Sequence, residues 1–173
     1  RVMDERWGMA ARSVVLLNNP RTLVTAPIAT LTNLRDSLDE IGAAMDPDED
    51  VAMVYVSTRG QPDATLDMRM PPLELVPITP ALLRGAFDDA GIRYRIVVVS
   101  ACHAGAFVDE LADDDTAVIV ASASGQGSSG CDRGSVATAF GEAFFQRGMA
   151  KAAGLAEAFD LARANVEERE RSG

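Results

Sequence analysis

With 173 residues, 47% of them hydrophobic, the chain can bury one substantial core and reads as a single globular domain over 1–173, with 1–12 as a lead-in. A net charge of −10 excludes a nucleic-acid partner, because neutralising phosphates takes clustered Lys and Arg. No apolar run approaches the roughly 18 residues of a spanning helix, and no signal peptide opens the chain.

The first residue is Arg1, so the sequence reads as a piece of a longer chain, with membrane anchoring through a further segment left open. Residues 2–8 read as a segment that packs on the outside. Ser13-Val14-Val15-Leu16-Leu17 predicts a short apolar strand, ended by Asn18-Asn19-Pro20. Residues 27–45 have helical spacing, with Ile28, Leu31, Leu34, Leu38 and Ile41 on one face and Pro27 in the first turn. Asp46-Pro47-Asp48-Glu49-Asp50 closes that helix, and 51–56 predicts a second buried strand. Residues 66–70 and 73–76 flank Pro71-Pro72 as a small β excursion. Thr79 caps a helix that runs to Ala90, with Pro80 at its first position and Gly91 ending it.

Residues 94–101 predict the third strand. Its Ile96-Val97-Val98-Val99 run is the signature of a strand buried on both faces of a parallel sheet. A short helix follows over 106–111, and a fourth strand over 116–122. Residues 123–134 form a glycine- and serine-rich loop, and helices cover 136–147 and 155–170. Strands alternate with helices, which predicts an α/β fold with a mostly parallel central sheet and helices on both faces.

Ligand and catalytic groups of open α/β sheets sit just past the carboxyl ends of the strands. Ser100-Ala101-Cys102-His103-Ala104-Gly105 follows the most buried strand directly, so Cys102 reads as a presented nucleophile. Backbone N–H groups at such a strand-to-helix turn can hold an oxyanion and lower a thiol pKa. His103 is the chain's only histidine. Adjacent residues leaving a strand point opposite ways, so it reads as pocket lining rather than as the base for Cys102.

Cys102 and Cys131 are the two cysteines. A single bridge between them satisfies the count, but nothing has the density of a disulfide scaffold, and two unlinked thiols are expected. One histidine and two separated cysteines make no zinc site. Gly125-Gln126-Gly127-Ser128-Ser129-Gly130 fits G-x-G-x-x-G, but no later strand carries the ribose-binding acid, and a plain loop is expected. Asp46, Asp48 and Asp50 alternate as in a calcium loop, yet its glycine and glutamate positions hold Val51 and Ser57. No metal or organic cofactor is expected.

Several blocks in order resemble the legumain family of cysteine peptidases, in its bacterial branch and with its caspase-like fold. These are Asp4-Glu5-Arg6, Leu17-Asn18-Asn19-Pro20-Arg21, Thr32-Asn33-Leu34-Arg35, Tyr55 to Asp63, Val98 to Cys102 with Gly105, Gly130-Cys131, and Phe140-Gly141-Glu142-Ala143. The resemblance covers nearly the whole chain. It implies a three-layer sandwich, a peptide or protein substrate, and acyl transfer through a cysteine assisted by a histidine on the neighbouring strand. The nucleophile carries over to Cys102. The histidine position is Arg59, and Gly60 keeps the glycine whose N–H helps hold the oxyanion. The arginine that helps recognise the P1 side chain aligns with Leu31, and the acidic pocket position with Gln126. Ser100, His103 and Ser122 complete the expected substrate-binding set.

Arginine stays protonated and cannot serve as a general base. Three functions follow from these residues. The chain is a degenerate peptidase kept for binding or assembly, a residually active or altered cysteine hydrolase using His103 or another group, or a different small-molecule- or nucleotide-binding α/β protein.

Overall fold

The computed structural model describes residues 2–122 and 139–172. The chain divides into two compact units, one of Val14–Gln126 and one of Arg1–Ser13 with Gly127–Gly173. The 123–134 loop, with its G-x-G-x-x-G pattern, Gln126 and Cys131, lies outside the described residues, as does the start of the helix expected over 136–147.

The larger unit is α/β. Three parallel strands, β1 (Val51–Ser57), β4 (Tyr94–Ser100) and β5 (Thr116–Val120), form its sheet in the order β1-β4-β5. Two short strands, β2 (Arg69–Met70) and β3 (Leu73–Glu74), make an antiparallel hairpin around Pro71-Pro72, which is the β excursion expected there. Helices α2 (Leu31–Ala44), α3 (Pro80–Asp89) and α4 (Ala106–Leu111) flank the sheet, as in the caspase-like fold.

The central strand is β4, as its β-branched run requires: Val97, Val98 and Val99 are all 0% exposed. Around it pack Leu38, Leu66, Ile78, Leu83, Phe87, Ile92, Phe107 and Leu111. Expected as a buried strand, β1 pairs on one side only among the described residues and leaves Val51 52% and Tyr55 39% exposed. Its apolar residues satisfy an edge position, where one flank needs no cover.

Two expectations from local pattern are corrected. Residues 13–17 form no strand; Leu17 N donates to the Pro27 carbonyl, and Val14, Val15 and Leu17 are exposed. The Asn18 side chain explains this arrangement, since its amide and carbonyl groups bond Ala29 O and N at 3.0 and 2.9 Å and close a loop instead. Helix α2 starts at Leu31, not at Pro27, because Thr30 is its cap, with Oγ1 accepting from Asn33 N at 3.0 Å. Asn33 Nδ2 then holds the Ile28 carbonyl at 2.7 Å and keeps that residue outside the helix.

Helix α3 begins as read: Thr79 Oγ1 accepts from Leu82 N at 3.2 Å, and Pro80 opens the first turn. Gly91, at φ +66°, follows its end. Thr79→Ala removes the cap and is expected to lower stability by about 1 kcal/mol, measured as a shift of the urea midpoint with the slope unchanged. An unchanged midpoint would mean that the cap contributes nothing.

In the smaller unit, α1 (Val2–Trp7) bonds α6 (Met149–Lys151) through Arg6 to the Ala150 carbonyl and through Trp7 Nε1 to the Met149 carbonyl at 3.1 Å. A short helix, α5 (Ala139–Glu142), runs into a π-helical turn over Ala143–Gly148, and α7 (Leu155–Ser172) packs on that turn. Phe140 stacks on Phe144 and tilts against Phe159 there. No helix among the described residues is long and apolar enough to cross a membrane.

Candidate functional site

The parallel register of β1 and β4 builds the site. Ser57 faces Ser100 as the last pair, and Thr58 N donates to the Ser100 carbonyl at 3.4 Å. Both strands therefore end together, and Thr58-Arg59-Gly60 leaves the sheet beside Ala101-Cys102-His103. Contact between the two turns is tight. A Cβ on Gly60 would lie less than 3.0 Å from both the carbonyl carbon and the oxygen of Cys102, so only glycine lets these backbones meet.

Each turn is braced from behind. Asp67 N donates to the Arg59 carbonyl at 2.8 Å, and Thr58 Oγ1 donates to the Asp67 carbonyl at 2.5 Å. The Asp67 carboxylate accepts from Gln61 Nε2 at 3.1 Å and pairs with Arg69 at 2.9 Å. Asp67 thus braces the turn through its main-chain N–H and carbonyl, a role that no side-chain pattern in 66–70 announces. Nearby, hydrogen bonds from the Thr65 hydroxyl and backbone N–H hold the Asp63 carboxyl below its usual range.

On the cysteine side, Ser122 Oγ donates to the Ala101 carbonyl at 3.3 Å and accepts from Ala104 N at 3.2 Å. Its hydroxyl, read from the sequence as a substrate contact, is engaged in holding the turn that carries Cys102. That turn needs holding: His103 has φ +55°, a left-handed conformation that costs a non-glycine residue about 1 kcal/mol. Ser100, Ala101 and Ala104 are fully buried. His103 is half-buried, and its imidazole makes no hydrogen bond among the described residues.

Cys102 is disulfide-bonded, which departs from the expectation of two unlinked thiols. Cys131, the other cysteine, lies outside the described residues. A sulfur held in a disulfide is neither thiol nor thiolate and cannot attack a carbonyl, so chemistry at Cys102 starts with reduction.

The structure brings Arg59, Gly60, Ser100, Cys102, His103 and Ser122 to one end of the sheet. Leu31 opens α2 and packs against the core, and Gln126 is not described. Arg59 is exposed, and no carboxylate among the described residues pairs with it. Gly60 N–H has no acceptor among them either. The arrangement therefore offers an exposed cation, a backbone donor of the buried Gly60 that has no acceptor among the described residues, and a sulfur on adjacent turns. It can bind an anion or hold an oxyanion, but Arg59 cannot take a proton from Cys102.

No curated protein matches the chain. The family model described as the Peptidase C13 family matches residues 33–173, a stretch that contains both strand ends and the turns that leave them. The chain therefore belongs to the Peptidase C13 family, the legumain family of cysteine peptidases.

Proposed function

We propose that this legumain-type cysteine peptidase domain is degenerate, with Cys102 at the nucleophile position and Arg59 where the assisting histidine would stand. The observation that carries the reading is Arg59 itself, at the end of the strand next to the cysteine strand. Peptide hydrolysis needs a group that takes the thiol proton and later protonates the leaving amine; a guanidinium does neither. His103 offers no substitute hydrogen bond to Cys102. Peptide or protein ligands remain the partner class, and binding or assembly rather than turnover is the role.

Should acyl transfer persist, its course is set by the same residues. A reduced Cys102 thiolate attacks the scissile carbonyl, and the N–H groups of Gly60 and Cys102 hold the oxyanion. The C–N bond breaks as the amine leaves with a proton from water, and a second water hydrolyses the thioester to the free acid and thiolate. The test is hydrolysis of a broad fluorogenic peptide library by the reduced protein, with Cys102→Ala as the control. Equal background rates for parent and control are expected. Cleavage that Cys102→Ala abolishes would overturn the degenerate reading in favour of an altered hydrolase.

A further inference from the structure

We propose that the Arg59–Gly60 turn is a carboxylate clamp that takes the free C-terminal carboxylate of a peptide. This inference rests on the peptide-binding reading above and adds what the site selects. Arg59 presents a guanidinium that is exposed and unpaired with any carboxylate among the described residues. Its acidic neighbour in the hairpin region, Asp67, is already committed to Arg69 and Gln61 at 2.9 and 3.1 Å. At the far end of the sheet the arginines behave differently: Arg84, Arg93 and Arg95 each sit on an aspartate at 2.5–3.1 Å. Among the described residues, the charge of Arg59 is not spent on the fold in this way.

The next backbone donor, Gly60 N–H, is also without an acceptor among the described residues. Its position is fixed by the close approach to the Cys102 carbonyl and by the Asp67 N–H on the Arg59 carbonyl at 2.8 Å. A planar carboxylate accepts from a guanidinium fork and a backbone N–H together, and such charge-assisted bonds are about twice as strong as neutral ones. A peptide that continues past the nucleophile position places a neutral amide there. A peptide that ends there places a carboxylate, which gains both donors. A fixed positive charge in place of a base thus favours holding a chain end over cutting a chain.

The test uses acetyl-Ala-Ala-Xaa peptides, with each amino acid at Xaa, as free acids and as C-terminal amides. Their affinities are measured by calorimetry on the reduced protein, its Cys102→Ala variant and Arg59→Gln. Free acids are expected to bind about tenfold or more tightly than the matching amides, and Arg59→Gln is expected to remove that difference. Equal binding of acids and amides overturns the clamp but leaves peptide binding standing. Preference for Asp or Glu at Xaa regardless of the terminus assigns Arg59 to a side-chain carboxylate and overturns the terminal assignment. A preference that survives in Arg59→Gln removes Arg59 from it. Failure of every peptide to bind overturns both readings, whereas Cys102-dependent cleavage of longer peptides overturns only the degenerate one.

Discussion

Arg59→His is expected to give the reduced protein a peptidase activity about 10²–10⁴ times the parent rate, the usual contribution of a positioned acid–base group. The reasoning starts from the register. Position 59 lies two residues past β1, beside the turn that carries Cys102, and the backbone of the two turns is locked by Gly60 and Asp67. A histidine there titrates near neutrality, so it can accept the thiol proton and return it to the leaving amine. The Gly60 N–H, the oxyanion donor proposed above, is unaffected by the change.

The measurement is hydrolysis of the same peptide library under reducing conditions, with Arg59→His/Cys102→Ala as the control. Cys102 must be reduced first, because it is disulfide-bonded. A gain that vanishes in the double variant would establish that one residue separates this site from a working one. No gain, in a protein whose Cys102 is shown by alkylation to be reduced and accessible, would mean that Arg59 is not the one difference from a working site, with Leu31 and Gln126, the positions the resemblance aligns with the P1 pocket, next in line.

Gly60→Ala is expected to destabilise the protein by about 1–3 kcal/mol, the usual cost of forcing extra atoms into a packed region. The added Cβ would meet the Cys102 carbonyl carbon at 2.9 Å and Ala101 Cβ at 3.3 Å, with the carbonyl oxygen nearer still. Backbone at a strand end cannot swing aside as a side chain can. The two turns must separate, and the Asp67 and Ser122 braces must yield with them. Thermal unfolding should show a lower Tm, by about 2–4 °C for each kcal/mol in a chain of this size.

Gly85 supplies the control. It lies inside α3 with nothing within 4 Å of its would-be Cβ, so Gly85→Ala should instead stabilise by about 0.5–1 kcal/mol. A Gly60→Ala protein as stable as the parent would show that the turns are not locked as described. In the Arg59→His background, Gly60→Ala should also abolish the gained activity, because the oxyanion donor moves with the turn.

Much of this was legible in the residues. The run Ile96–Val99 is apolar and β-branched at every position, which only a strand covered on both faces accommodates, and β4 is that strand. Thr79-Pro80 announces α3 because capping is local chemistry between a hydroxyl and an N–H three residues on. That Arg59 and Cys102 lie on adjacent turns was legible too, since each follows an apolar strand and parallel strands end on the same side.

Strand pairing and bracing were not legible, because they depend on groups distant in sequence. Ser13–Leu17 has strand composition, but a strand exists only where a partner offers a ladder, and the Asn18–Ala29 bonds close a loop there instead. Ile28 fits the helical face of α2, yet the competing cap at Thr30 excludes it. Ser122 reads as one more strand-end hydroxyl until the fold brings it to the Ala101 carbonyl and the Ala104 N–H. By itself, then, the sequence determined the α/β class, the central strand and the cap of α3, because periodicity, capping and side-chain chemistry are written locally. Only the tertiary structure decided that Gly60 touches Cys102, that Asp67 and Ser122 hold the turns, and that Arg59 stands without an acidic partner among the described residues. Each of these is a contact between residues brought together by the parallel register, and no local pattern encodes it.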